Sequence, residues 1–339
     1  MKKEKNITDI EKEFGWDVRN FTITNRILFL SSRFSSLSER LSISGNETSK
    51  ETRTSKETFS AGYFSVLNEG VEIDQKSIFG VGENADESRA RIMVDNAQKT
   101  YQKIGAFDLF SPNDFKRIHA SFNENILNRA GNYRNKAETV FHGKECVFTP
   151  PSAKNVPLLI RELFMWAKEN ADLLPPIVLS SVMHFAIVMI HPFTDGNCQI
   201  AKYWQESYLA SRGIKMSFSR FEKVLFEKRD EYYSKIGESR KEKNLSHFID
   251  FVLGVSCETA EMEASEMEIP AATDKYVKKL LNETMPGFSY TTHELLRLMG
   301  LRSKETLRRH YLGPALKNGF FEYSKNEKRT SRNQSYIRK

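Results

Sequence analysis

Residues 190–204 read IHPFTDGNCQIAKYW, and the reading of this stretch decides the fold. Pro192 disfavours helical geometry at His191, so the apolar run before it should end there. Asp195-Gly196-Asn197 has the composition of a tight turn, and Asn197 is a favoured N-cap for a helix through AKYWQESYLASRG. A buried helix, a sharp corner and a second helix are therefore expected. Free N–H groups at the start of the second helix, together with its dipole, make an anion site, and Gly196 lets a ligand approach the backbone closely. Asp195 sits beside that site and suits Mg²⁺, which takes carboxylate and phosphate oxygens together. Gln199 and Lys202 share a helix face and can point at one phosphate tail. His191, at the end of a rigid helix, is placed to take a proton from an incoming hydroxyl. These parts suit transfer of a phosphoryl-linked group from a nucleotide to an alcohol.

Working outward, PPIVLSSVMHFAIVMIHP is apolar nearly all round and predicts a helix over 177–190 at the centre of the domain. Ser and His interrupt it, so it is read as a core helix and not a membrane span. His184 on this helix, and the cluster Tyr203, Trp204 and Tyr208 on the next, are expected in the core. Upstream, ETVFHGKECVF places two β-prone runs around His142-Gly143-Lys144, a hairpin signal. SPNDFKRIHASFNENIL predicts a helix with Ser111 and Asn113 as available caps. Residues 31–60 hold fourteen Ser or Thr and predict short helices joined by mobile polar loops. Residues 57–68 form one such helix, stopped by Gly70. Pro270-Ala271-Ala272 reads as a linker. Beyond it a short helix ends at Gly300, Ser303 caps a second, and Gly319 leads into two strands around a basic loop, which describes a winged helix-turn-helix.

Composition sets bounds on function. Charged residues make up 28% of the 339, hydrophobic residues 39%, as in ordinary globular chains. The first sixteen residues have a basic start but no apolar stretch, so no signal peptide is expected. Cys146, Cys198 and Cys257 are scattered, which argues against a disulfide framework or a zinc site and for a cytoplasmic setting. Cys198, at a helix start, could carry a lowered thiol pKa, though a small-residue substitution explains it as well. The net charge of +7 is uneven: residues 301–339 carry eleven Lys/Arg against three Asp/Glu. Such a tail suits solubility, an acidic partner or nucleic acid.

The string H-P-F-x-D-G-N resembles the signature of the Fic (Fido) domain family, H-P-F-x-[DE]-G-N-[GK]-R-x-x-R. Chance would supply its six fixed positions in on the order of one in 10⁵ chains of this length. Residues 131–163 resemble the family's flap hairpin, and LLRLMGLRSKETLRRHYLGPAL resembles the winged-helix module of bacterial members. The resemblance implies a mainly α fold: a Fic-type helical bundle with a β-hairpin flap, plus a small α+β winged helix-turn-helix domain. It implies a helical region over 1–90, a core over 91–265 and the winged helix over 270–339. It also implies AMP transfer from ATP, with Mg²⁺, to a Ser, Thr or Tyr hydroxyl of a target protein. His191 would be the general base and Asp195 the metal ligand, with Phe193, Gly196, Asn197, Cys198, Gln199 and Lys202 at the nucleotide. Val140, Phe141, Val147 and Phe148 would position the target segment by strand pairing.

The match departs from the signature where Cys198 replaces Gly or Lys, Gln199 replaces the first Arg and Lys202 the second. Gln199 supplies no charge and Lys202 lacks the bidentate fork, so polyphosphate recognition should be weakened or altered. SVLNEG, residues 65–70, resembles the inhibitory [ST]-x-x-x-E-[GN] of autoinhibited members, with Ser65, Glu69 and Gly70 in place. Glu69 would pair with Lys202 and fill the γ-phosphate space. Two other functions stay open: a weak or silent Fic body serving as a nucleotide-sensing or DNA-binding regulator, with Arg308 and Arg309 near DNA, and a hydrolase that removes AMP. A homo-oligomer is compatible with either, and no membrane partner is expected.

Overall fold

The computed structural model describes residues 8–43, 50–73, 85–142, 145–214, 216–267, 275–284, 287–324 and 334–339. The chain divides into two units, Met1–Ala264 and Ser265–Lys339. Pro270–Ala272, Gly143–Lys144 and the basic loop of the wing lie outside the described residues.

In the first unit α1 (Asp9–Phe14) opens with a capping box. Thr8 accepts the Glu11 N–H, and Glu11 accepts the Thr8 N–H. Next come α2 (Asn25–Ile43) and α3 (Lys50–Asn68), each far longer than the short helices expected there. Ser and Thr are mediocre helix formers. The apolar positions decide: Ala61, Tyr63, Phe64 and Val66 of α3 are all buried, and tertiary packing overrides propensity. α3 packs against α4 (Ala85–Tyr101), and they meet at Gly62, where a Cβ would lie 2.9 Å from the Gln98 nitrogen. Residue 90, the expected end of an N-terminal region, falls inside α4.

α5 (Pro112–Phe122) starts as expected, with Ser111 accepting the Asp114 N–H and proline in the first turn. The hairpin is present as β1 (Val140–His142) and β2 (Glu145–Phe148), antiparallel with a register shift after Val140. α6 (Val156–Asn170) and α8 (Asn197–Ser211) flank α7 (Pro176–Ile190), whose residues 177–190 are all buried. α9 (Phe218–Glu227) packs on α3, followed by α10 (Arg229–Glu242) and α11 (Ser246–Met267). Phe185 of α7 meets Trp16 and Phe248 edge-on, and His184 bonds to Gln205 and the Tyr232 hydroxyl, so His184 is a core residue as expected. Trp204 stacks on Tyr208 in the same core.

The second unit holds α12 (Lys275–Glu283), β3 (Ser289–Thr291), α13 (Thr292–Leu298), α14 (Lys304–Thr306) and, after a π-helical segment (Leu307–Leu312), α15 (Gly313–Lys317). β4 (Phe321–Tyr323) and β5 (Ser335–Arg338) pair antiparallel, as expected from the sequence. β3 was not expected. Its Tyr-Thr content suits a strand, and Thr291 ends the strand while capping α13 through a second capping box. The sheet order is β3-β5-β4. Gly313 admits the π-helical turn, because a Cβ there would lie 2.5 Å from the Arg308 carbonyl oxygen. Among the described residues no helix is long and apolar enough to cross a membrane.

Candidate active site

His191 ends α7 in the left-handed region, at φ +50° and ψ +60°. For a residue other than glycine this geometry persists only when its surroundings hold it. Arg134 does the holding. Its Nε donates to the His191 carbonyl at 2.6 Å, and its other nitrogens reach the carbonyls of Lys136, Pro151 and Ile190. Its backbone N–H bonds to the Pro192 carbonyl. Burial lowers the His191 pKa to about 4, helped by the Arg134 charge and opposed by the Val188 carbonyl. The imidazole is therefore neutral at neutral pH. Its Nε2 lies 3.7 Å from Glu138, whose own pKa is raised mainly by burial. Phe148 of β2 meets the ring edge-on, with centroids 6.1 Å apart.

Between His191 and α8 the corner is braced by a second histidine. His119 stacks on Phe193 with centroids 3.8 Å apart. The Gly131 N–H donates to its Nδ1, so the proton sits on Nε2 and is donated to the Asp195 carbonyl at 3.0 Å. Burial holds His119 near pKa 4, keeping this neutral tautomer. Gly196, not Asn197, occupies the cap position of α8, at φ +72°. A Cβ there would lie 3.2 Å from the Asn123 amide nitrogen, so close approach and left-handed backbone both require glycine. Asn197 is the first helical residue, and its amide spans the loop to the N–H and carbonyl of Phe193. Phe193 is fully enclosed, a packing residue of the corner whose ring has no surface for a nucleotide. Asp195 is exposed and accepts the Gly196 N–H.

The segment that ends α3 lies against the start of α8. Ser65 is buried and accepts the Gln199 side-chain amide at 3.0 Å. Glu69 leaves α3 just before Gly70, which turns the chain at φ +81°. Desolvation raises the Glu69 pKa to about 7, against the pull of Lys202 and the Gln199 backbone N–H. One of its oxygens is buried with no hydrogen bond. The expected direct partnership with Lys202 is replaced. The Lys202 ammonium is buried and sits 2.8 Å from Glu222 of α9. Glu222 also accepts from the Tyr101 hydroxyl and from the Asn68 amide, which ties the end of α3 to α9. Glu206 lies close by, also buried, and desolvation beside Glu222 drives its pKa well up. Lys202 still attracts Glu69 through space, but its hydrogen bond goes to Glu222.

A cavity of about 280 Å³ opens at this point. Its lining includes Glu69 and Glu72, Arg89 and Met93 of α4, and Asp195, Gly196 and Gln199. Cys198 is half-buried and its thiol is pushed up to about 12, chiefly by burial and then by Glu69, so the lowered pKa of a helix-start thiol does not occur. On the flap, Phe148 is enclosed under Arg240, whose guanidinium also donates to the Val147 carbonyl, while Val140 is half-buried. Phe141 pairs with Cys146 through the strand register. Arg308 and Arg309 are exposed in the second unit.

The structure thus gathers His191, Asp195–Gln199, Ser65 and Glu69 at one corner, with Phe148 beside the imidazole. Arg134, His119, Asn123 and Glu222 were missed in the sequence. Nothing local marks them, because each acts through a partner 57 to 76 residues away or, for Glu222, on α8 and α3.

Residues 109–209 match the family model described as Fic/DOC family, and residues 275–337 match that of the Filamentation induced by cAMP protein Fic-like, C-terminal domain. A probable protein adenylyltransferase of Aquifex aeolicus is 23% identical over 60% of this chain and 52% of its own length. The protein adenylyltransferase Fic of Aedes aegypti is 23% identical over 66% and 41%. The chain thus spans about half the length of these curated relatives. Among solved structures, a Fic family protein from Desulfovibrio desulfuricans G20 superposes with a TM-score of 0.66 at 22% identity, over 94% of this chain and 98% of that one. Fic-1 from C. elegans gives 0.56 at 18% identity, over 71% and 73%. At these identities the likeness shows the fold.

Proposed function

We propose that this chain, which carries a Fic/DOC domain followed by a Fic-like C-terminal domain, transfers AMP from ATP to a protein hydroxyl and is held off by Glu69. The observation that carries the reading is the position of Glu69. A carboxylate one residue past the end of the chain's own α3 lines the same cavity as Gln199 in the first turn of α8, where a helix start would otherwise take an anion. That helix start shares a cavity with Gly196 and Asp195, one corner away from a neutral histidine.

In the transfer, the α-phosphate lies on the N–H groups that open α8, admitted by the missing side chain at Gly196. The target hydroxyl oxygen attacks the α-phosphorus and its proton passes to His191. The bond to the bridging oxygen breaks and pyrophosphate leaves. A His191 pKa of about 4 keeps the imidazole free to accept that proton throughout the neutral range. Arg134 holds the ring's backbone in place, so the base needs no rearrangement before reaction. On the flap, the Val147 carbonyl is already bonded to Arg240, which leaves β1 as the edge for an added target strand.

Mg²⁺ fits this arrangement through Asp195. It is an exposed hard oxygen donor on the cavity rim, and Mg²⁺ takes one or two carboxylates together with substrate phosphates and water. Among the described residues no group of three or more His, Cys, Asp or Glu stands together that could hold a metal ion. Bound there, the ion would neutralise phosphate charge. A brake must then move before any triphosphate enters, since Glu69 and the γ-phosphate repel one another.

The test is label transfer from ATP labelled at the α-phosphate, with Mg²⁺, using Glu69→Gly protein and the Glu69→Gly/His191→Ala double variant. Label on a protein, including the enzyme itself, that disappears in the double variant is expected. No label from any of the four ribonucleoside triphosphates would overturn the reading and favour a nucleotide sensor.

A further inference from the structure

A triphosphate seated on α8 needs positive charge near its outer phosphates, and the two side chains expected to serve it are engaged elsewhere. Lys202 is not in the cavity lining, and its ammonium is held by buried Glu222. Gln199 has no charge, and its amide nitrogen donates to Ser65. The wall contributed by α4 differs. Arg89 is exposed and lines the cavity beside Glu69, Glu72, Asp195, Gly196 and Gln199. Among the described lining residues it is the one cation.

The position is also a fixed one. Ala90, the next residue, is buried, and α4 is locked to α3 by the close approach at Gly62. Arg89 is thus presented by a packed helix, opposite the helix start that would carry the α-phosphate. With Glu69 in place its charge is offset by the surrounding carboxylates. Once Glu69 is withdrawn, an arginine fork remains on the wall of the cavity that carboxylate had lined. A guanidinium meets phosphate oxygens in pairs, which neither Gln199 nor an ammonium can do.

We infer that Arg89 is a binding residue for the outer phosphates of a nucleoside triphosphate, supplying from α4 the charge that positions 199 and 202 do not. The inference rests on the nucleotide-transfer reading, and the experiment separates the two. Dissociation constants for ATP and AMP, each with Mg²⁺, are measured by calorimetry on the full chain. The variants are Glu69→Gly alone and Glu69→Gly combined with Arg89→Gln, Arg89→Lys or Arg91→Gln. Arg91, two residues along the same helix and outside the cavity lining, faces Asp95 at 3.8 Å and serves as the control for positive charge lost away from the cavity.

Loss of one charge-assisted contact should weaken ATP binding about tenfold or more in Arg89→Gln, with Arg89→Lys between the two. AMP binding, which lacks the outer phosphates, should change less than about twofold, as should ATP binding in Arg91→Gln. If Glu69→Gly binds ATP and Arg89→Gln binds it equally well, the Arg89 assignment is wrong while the transfer reading stands. Equal weakening of ATP by Arg91→Gln also overturns it, by showing a diffuse charge effect. If Glu69→Gly binds no nucleotide, both fall together.

Discussion

At His191 the side chain and its backbone are governed separately. The backbone sits in a strained left-handed conformation secured by Arg134, while burial makes the imidazole hard to protonate. The folded pKa of about 4 lies below the ordinary 6.5, so protonation is disfavoured until the pH falls far below neutral. In Glu69→Gly protein, the acid limb of AMP transfer should therefore fall near pH 4 to 5, and a limb at 6.5 would contradict the buried geometry. Arg134→Gln removes a charged clamp from four carbonyls, those of Lys136, Pro151, Ile190 and His191, and leaves buried acceptors unmet, at about 1–3 kcal/mol each. Its transfer rate should drop about tenfold or more, with ATP affinity nearly unchanged, and thermal denaturation should report lower stability. The motif residues were legible because they are consecutive and their spacing fixes one corner. Arg134 and His119 were not, since their value lies in carbonyls of a distant loop that no local pattern announces.

Among the elements, α3 carries Ser65 and ends one residue before Glu69, so the proposed brake depends on it. The sequence predicted a short helix over 57–68 behind mobile polar loops, and four apolar side chains pack it between α4 and α9 as a longer helix of 19 residues. Ser65 thus rides on a rigid rod, Glu69 follows directly after its end, and Asn68 pins that end to Glu222. Gly62→Ala tests this directly. Its new Cβ would collide with backbone of α4 at 2.9–3.0 Å, where no flexible side chain can yield. Overpacking of this kind costs about 1–3 kcal/mol. Urea unfolding should show that loss, and basal label transfer should rise as Glu69 is displaced. Unchanged basal transfer in a measurably destabilised variant would mean that α3 is not the brake's support. The hairpin and the two wing strands were readable from β-prone runs and turn residues. β3 was hidden because Tyr290-Thr291 runs straight into a helix that Thr291 itself caps.

Across the whole molecule, buried charge links the proposed brake to stability. Three carboxylates, Glu69, Glu206 and Glu222, surround one buried ammonium, Lys202, and they come from α3, α8 and α9. Glu222→Ala would strand that ammonium, and breaking a buried pair of this kind costs about 3–5 kcal/mol. Thermal melting of that variant should show the largest single loss among those named. Glu69 gives the pH signature. Its folded pKa of about 7 exceeds its ordinary 4.5, so the stability from its bound proton is full below pH 4.5 and is lost as pH rises through 7. Glu69→Gln should therefore gain stability over the natural chain between pH 5 and pH 8, read as a widening gap in urea midpoints. A constant gap would mean that Glu69 is solvated. The basic second unit carries the net charge of the chain, and Arg308 and Arg309 are exposed there.

The most direct test is a crystal structure of Glu69→Gly protein soaked with ATP and Mg²⁺. The α-phosphate should lie on the N–H groups opening α8, with the His191 imidazole beside it and Asp195 against the metal. A cradle that stays empty at saturating nucleotide, or is filled by side chains with the imidazole turned inward, would contradict the account.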